Sequence, residues 1–334
     1  MAMASIPSVV LVAPDSFKGT MSAITVATAV GRGLEREGRP VDLCPLADGG
    51  EGTLAVLHGA LDAQLVDASV SDPLGRSVEA RFGLAEDARR RRVAIVEMAA
   101  ASGLALLDLN ELAPMGASTA GTGELIIAAR DAGAELIYVA VGGSATTDGG
   151  SGAIRAIERS GGLGQARLTV LCDVRTPFER AAQVFGPQKG ASGDDVRRLT
   201  QRLHALARGY DRDPRGLPMT GAAGGLSGGL WAQFGAELVP GASFVLDLLD
   251  FDRRMLSARA VITGEGCLDS QSLAGKLVSE VAVRARQAGV PCHAVVGTRK
   301  LDAFGARILD LQAILEAGTP RQLTAAGRRL ARLI

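Results

Sequence analysis

The stretch Gly142-Gly143-Ser144-Ala145-Thr146-Thr147-Asp148-Gly149-Gly150-Ser151-Gly152 constrains this chain more than any other. Glu135 to Val141 before it is β-branched and mostly apolar, as a buried strand would be, and Ala153 to Arg159 after it can start a helix. In this strand, loop, helix order, five glycines in eleven residues permit positive φ and close ligand approach. Several N–H groups can then converge on an anion. Ser144, Thr146 and Thr147 add hydroxyl donors, and Asp148 a carboxylate suited to magnesium. We therefore expect a polyphosphate site in which Gly142, Gly143, Ser144, Thr146, Thr147 and Gly149 contact a nucleotide. The sequence is neither Walker A nor the dinucleotide G-x-G-x-x-G, and a tight β-to-α turn is the plain alternative.

Other bounds narrow the class. A chain of 334 residues exceeds what one core usually fills, so two domains are expected. With 47% hydrophobic residues, 43 glycines and 3% aromatics, the composition suits an α/β protein with many tight turns. Lys plus Arg equals Asp plus Glu at 36 each, which argues against nucleic-acid and membrane-surface partners. Cys44, Cys172, Cys267 and Cys292 form no C-x-x-C pair, and His58, His204 and His293 are the only histidines, so neither a zinc site nor a disulfide framework is expected. With no basic n-region at the start and no apolar run of membrane-spanning length, the expectation is a reduced, cytoplasmic enzyme.

Along the chain, Val9 to Ala13 is a short strand followed by Pro14-Asp15-Ser16-Phe17-Lys18-Gly19-Thr20 and a helix from about Ser22 to Arg36. Ligands of open α/β sheets bind at the strands' carboxyl ends, which places Asp15, Ser16 and Lys18 where chemistry is expected. The plainer alternative is a turn with a solvated lysine. Val41 to Leu46 leads into Ala47-Asp48-Gly49-Gly50-Glu51-Gly52-Thr53, whose Asp48 and Glu51 read as ligand contacts, although Glu51 also suits the positive end of a helix. An alternating strand at 78–84 and an apolar one at 93–98 follow Asp72, which sets a domain boundary there. Ser118 to Glu124 gathers hydroxyls and glycines before a helix and is a second anion candidate. Leu168 to Cys172 is a strand ending at Asp173, and Phe185 to Ala191 is a compact turn carrying Lys189. Gly221 to Leu230 serves close helix packing or ligand approach. Strands 9–13, 41–46, 260–263, 293–296 and 311–315 alternate with helices. The expected fold is thus α/β: a discontinuous flavodoxin-like parallel-sheet domain, 1–72 and 255–334, with a mixed α/β domain, 73–254, inserted and the active site in the cleft between them.

These loops together resemble those of the bacterial type 1 glycerate kinases. The shared motifs run in the family's order from residue 14 to residue 276: Pro14 to Gly19, Leu46 to Thr53, Glu97 to Leu104, Gly121 to Ile126, Gly142 to Gly150, Phe185 to Ala191, and Thr263-Gly264-Glu265-Gly266 with Leu268-Asp269-Ser270-Gln271. The resemblance implies magnesium- and ATP-dependent phosphorylation of D-glycerate, usually on the 2-hydroxyl, by two α/β domains, the first discontinuous. Thr147 stands where the family usually has Asn, and Cys267 where it has Arg. The segment between Gly161 and Arg167 and the part after Gly297 look shorter than usual.

Phosphoryl transfer needs a cation on the moving phosphate, metal ligands, a clamp for the substrate carboxylate and a group facing the attacking hydroxyl. Lys18 is assigned the phosphoryl group, Asp148 and Asp173 the Mg²⁺, Asp269 or Glu265 the hydroxyl, and Lys189 or an arginine the glycerate carboxylate. Asp15, Ser16, Asp48 and Glu51 complete the substrate contacts. A kinase for another small hydroxy acid and a non-catalytic ligand-binding homologue are the alternatives. The association state is open, a homodimer included.

Overall fold

The structure is a computed structural model that describes residues 9–273 and 276–334. Eleven strands are described: β1 (Val10–Pro14), β2 (Val41–Leu43), β3 (Gln64–Ser71), β4 (Ser77–Glu86), β5 (Arg92–Glu97), β6 (Leu136–Ala140), β7 (Arg167–Cys172), β8 (Glu237–Pro240), β9 (Ala260–Leu268), β10 (Cys292–Arg299) and β11 (Leu311–Glu316). The chain divides into two compact units, one running up to Asp48 and resuming at Ala242–Ile334, the other Gly49–Gly241.

In the discontinuous unit the strands lie in the order β11-β10-β9-β1-β2, all parallel. Counted along this unit alone the order is 2-1-3-4-5, the flavodoxin-like arrangement expected. Strand β1, between β9 and β2, is buried along its whole length, as its unbroken apolar run requires. Helix Ala23–Glu35 starts where the Ser22 side chain accepts the Thr25 N–H, and its Val26, Val30 and Leu34 join the core with Leu323 and Leu330.

The continuous unit has the order β3-β4-β5-β6-β7-β8. Its first three strands pair antiparallel and the rest parallel. Phe82, Val96, Met98, Leu125, Ile137, Val139, Val170 and Leu226 form its core.

The division differs from the boundaries expected at residues 72 and 254. Strand β3, not anticipated, pairs with β4 from Gln64↔Leu84 to Ser71↔Ser77, which fastens the chain before Asp72 to the continuous unit. Its residues are mostly exposed or half-buried, so no apolar run announces it. At the other boundary, Arg284 meets Asp247 and Asp252, and Arg254 meets Asp42, so 242–256 belongs with the discontinuous unit.

Candidate active site

All the loops at the carboxyl ends of the parallel strands in the discontinuous unit contribute to one cavity of about 430 Å³. That is within the usual size of a small-molecule site. Asp15, Ser16, Lys18, Asp48, Glu265 and Asp269, each named from sequence, line it, together with Cys267 and Lys276. Lys276 was not anticipated. Its signal was available, a lysine placed just before the helix Leu277–Ala288.

The local sequence explains the placement. Asp15 is the first residue past β1, and its N–H bonds the Gly264 carbonyl at 2.8 Å, continuing the ladder with β9. Phe17 and Met21 exchange backbone hydrogen bonds, and the buried Phe17 ring anchors that tight loop, leaving Lys18 exposed at its tip. The Lys18 ammonium meets Asp48 Oδ2 at 2.8 Å. Strand β9 runs on to Leu268 and so carries Glu265 to the cavity. Ser272 Oγ donates to Glu265 Oε1 at 2.6 Å and accepts the Asp269 N–H at 3.1 Å, which ties the two acidic residues to one hydroxyl.

Burial, with the Asp48 charge next in weight, pushes the Asp15 carboxyl up to about 7, against the pull of Lys18 and of the Ser16 N–H. Burial also raises Glu265, opposed by the Ser272 hydrogen bond and by Lys276 and Lys18. This is a desolvated acidic pocket with two lysines on its wall, a composition suited to an anionic substrate and to proton transfer.

A second, smaller cavity of about 80 Å³ lies in the continuous unit, at the carboxyl ends of β6 and β7, and includes Gly142, Gly143, Ser144, Asp173 and Gln188 in its lining. The rest of the glycine-rich loop turns inward, which corrects several expectations. Asp148 is buried, and its carboxylate accepts the Thr119 N–H at 2.9 Å, the Thr119 hydroxyl at 2.9 Å, the Gly150 N–H at 3.0 Å and the Gly152 N–H at 3.0 Å. These hydrogen bonds engage both of its oxygens with the fold. The second anion candidate, around Thr119, is answered by the same contact, because the anion it receives is Asp148. Thr146, Thr147 and Gly149 are buried too and do not line the cavity. The Thr147 departure from the family pattern therefore lies inside the protein.

Lys189, expected to clamp a carboxylate, is 1% exposed and donates to Ser144 Oγ at 2.7 Å and to the Thr146 carbonyl. Burial pushes its ammonium down to about 7. It braces the loop from inside. Glu51 is exposed beside the helix Thr53–Ala60, and Glu97, not Glu51, accepts the Leu54 N–H at that helix's start, at 2.6 Å. At Gly221 to Leu230 the packing alternative holds: a Cβ on Gly224, whose φ is +65°, would fall 2.0 Å from the Thr146 carbonyl oxygen. Among the described residues no group of three or more His, Cys, Asp or Glu is placed to hold a metal, and no helix is long and apolar enough to cross a membrane.

A family model described as the glycerate kinase family matches residues 10–161 and 158–332. A glycerate kinase of Halalkalibacterium halodurans is 38% identical over 326 residues, covering 86% of this chain and 85% of its own. A glycerate 2-kinase of Escherichia coli is 35% identical over 327 residues, covering 86% and 85%. The crystal structure of a putative glycerate kinase 2 from Salmonella typhimurium superposes with a TM-score of 0.81 at 33% identity, over 97% of each chain.

Proposed function

Because this chain belongs to the glycerate kinase family, we propose a division of labour among its residues for the transfer of a phosphoryl group from ATP to an alcohol. The enzyme is a phosphotransferase, an ATP-dependent glycerate kinase, and its substrates are small molecules. We assign it D-glycerate as acceptor and 2-phosphoglycerate as product, in line with the E. coli relative's name. The type 1 subdivision, a cytoplasmic setting and a homodimer belong to the same proposal, the last checked by light scattering.

The observation that carries the assignment is the cavity at the carboxyl ends of the parallel sheet, where the Lys18 and Asp48 pair stands beside the buried Asp15. Phosphoryl transfer leaves a protein little covalent work, so positioning and charge supply most of the rate. Lys18, exposed and tethered at 2.8 Å, meets the charge of the moving phosphoryl group. Lys276 takes the glycerate carboxylate, the role first given to Lys189 or an arginine; Lys189 is buried and no arginine is among the residues lining this cavity. Ser16 contributes its hydroxyl to substrate contact.

For the nucleotide phosphates we propose the part of the glycine-rich loop that lines the second cavity, Gly142, Gly143 and Ser144. Asp173, exposed at the end of β7, would hold Mg²⁺ together with phosphate oxygens. One protein carboxylate plus phosphates suits magnesium, which keeps most of its coordination for water and substrate. When bound, it neutralises charge on the phosphoryl oxygens.

The test is ADP release with D-glycerate, ATP and Mg²⁺, with phosphorus and proton NMR of the product. Turnover giving 2-phosphoglycerate is expected. Folded, ATP-binding protein that turns over another hydroxy acid but not D-glycerate would overturn the acceptor.

A second expectation concerns the thiols. Cys44, Cys172 and Cys292 are buried, whereas Cys267 is half-buried and lines the larger cavity. Brief treatment of the native enzyme with iodoacetamide should label Cys267 first by mass spectrometry and abolish turnover, and D-glycerate should slow both. Cys267→Ser should keep activity in the presence of the reagent. Labelling without loss of activity would remove Cys267 from the substrate's surroundings.

A further inference from the structure

We infer that Asp15 is the general base of the reaction, taking the proton of the attacking glycerate hydroxyl. The inference rests on the function proposed above and deepens it. In the step, the hydroxyl oxygen forms the new O–P bond while the bond from phosphorus to the ADP oxygen breaks and its electron pair leaves with ADP. The hydroxyl proton passes to the Asp15 carboxylate and from there to solvent.

Topology is the first support. In a sheet of order 2-1-3-4-5, the chain leaves strands 1 and 3 in opposite directions, and the crevice for a ligand opens beyond their carboxyl ends. Those strands are β1 and β9, and Asp15 is the residue that follows β1, bonded through its N–H to Gly264 of β9. The Ser16 N–H donates to Asp15 Oδ1 at 2.6 Å, which fixes the carboxyl on the cavity wall.

The other acidic residues of the cavity are engaged differently. Asp48 Oδ2 holds the Lys18 ammonium at 2.8 Å, so its carboxylate is engaged by that cation. Glu265, one of the two residues first assigned to the hydroxyl, receives the Ser272 O–H at 2.6 Å. The other, Asp269, is held through its N–H by the same serine and lies 3.9 Å from the Cys267 sulfur. Both serve as positioning residues in this scheme.

The charged groups facing Asp15 come from three elements: Asp48 after β2, Lys18 on its own loop and Glu265 on β9. Burial and Asp48 together place its proton affinity at about 7, where a base is both ionised and able to hold a proton at cellular pH.

Kinetics of Asp15→Asn test the inference. With wild type, kcat/KM should fall as pH drops below about 7. The variant should lose roughly 10²- to 10⁴-fold in kcat, keep its KM for ATP within a few-fold and show no such acid limb. Asp48→Asn removes the neighbouring negative charge and should move the acid limb to lower pH, a shift no purely structural role produces. A melt of Asp15→Asn separates lost chemistry from lost fold, and its expected sign is positive. The folded chain carries a penalty for ionised Asp15 that is complete above about pH 7, shrinks as pH falls through that value and is gone below 3.8, so the variant should melt higher at pH 8. Asp15→Asn within tenfold of wild-type kcat, or an acid limb that persists in it, overturns Asp15 as the base while leaving the kinase assignment standing. Wild type that turns over no D-glycerate overturns that assignment and this step with it.

Discussion

Lys18→Met is expected to lower kcat by roughly 10²- to 10³-fold, the usual cost of removing one preorganised group that meets transition-state charge. The melting temperature should stay within roughly 4 °C of wild type, because an exposed ion pair contributes about 0–1 kcal/mol to a unit of this size. The two readouts separate because of where the residue sits. Its side chain is 62% exposed at the tip of a loop whose anchor is Phe17, so removing the ammonium leaves the packing intact. Asp48, in contrast, is nearly buried and loses its partner, and the charge around Asp15 becomes more negative. The acid limb of the pH profile should therefore move upward in Lys18→Met, opposite to its movement in Asp48→Asn. Lys18→Arg keeps the charge and should recover part of the rate. A kcat within threefold of wild type in Lys18→Met would remove Lys18 from phosphoryl transfer.

Asp148→Ala should cost roughly 3 kcal/mol or more of stability, since each buried donor left without a partner costs about 1–3 kcal/mol. The carboxylate serves donors from the Thr119 backbone, the Thr119 hydroxyl, Gly150 and Gly152, and alanine would strand them together. Thr119 Oγ1 also accepts the Ala153 N–H at 3.0 Å, so the start of helix Ser151–Arg159 is tied to the same carboxylate. For a unit of this length, roughly 3 kcal/mol corresponds to a fall in melting temperature of about 6–12 °C. Differential scanning calorimetry of the ligand-free protein reads this directly. Had Asp148 been a magnesium ligand, the variant would melt like wild type without metal and lose only the stabilisation that added Mg²⁺ confers. That outcome would restore the first assignment.

Much of the fold was legible because its signals are local. The apolar runs at 9–13, 260–263 and 293–296, separated by helical segments, are enough to predict a parallel sheet, and the sheet is there in flavodoxin-like order. The β3 edge strand was not legible, since its residues are half-exposed and its pairing with β4 is decided by the partner. Asp15, Lys18, Asp48, Glu265 and Asp269 line one cavity, and their gathering was legible because each lies in or beyond the carboxyl-terminal half of a strand. Asp148, Thr146, Thr147 and Lys189 came from similar logic and lie buried, since a polar residue in or beside a glycine-rich loop looks alike in sequence whether it faces a ligand or the interior.

Residue type and spacing alone were sufficient for the α/β class, the parallel sheet and the loops expected to bear chemistry, all of which depend on neighbours within a few positions; the family came from the resemblance of those loops taken in order. Only three dimensions could settle which donors and acceptors remain for a ligand. Thr119 meets Asp148 across 29 positions and Lys189 meets Ser144 across 45, and these contacts engage Asp148 and Lys189, groups that the chain presents as ligand contacts. The physical reason is that a buried polar group must find a partner, and packing, not sequence distance, decides whether that partner is the protein itself.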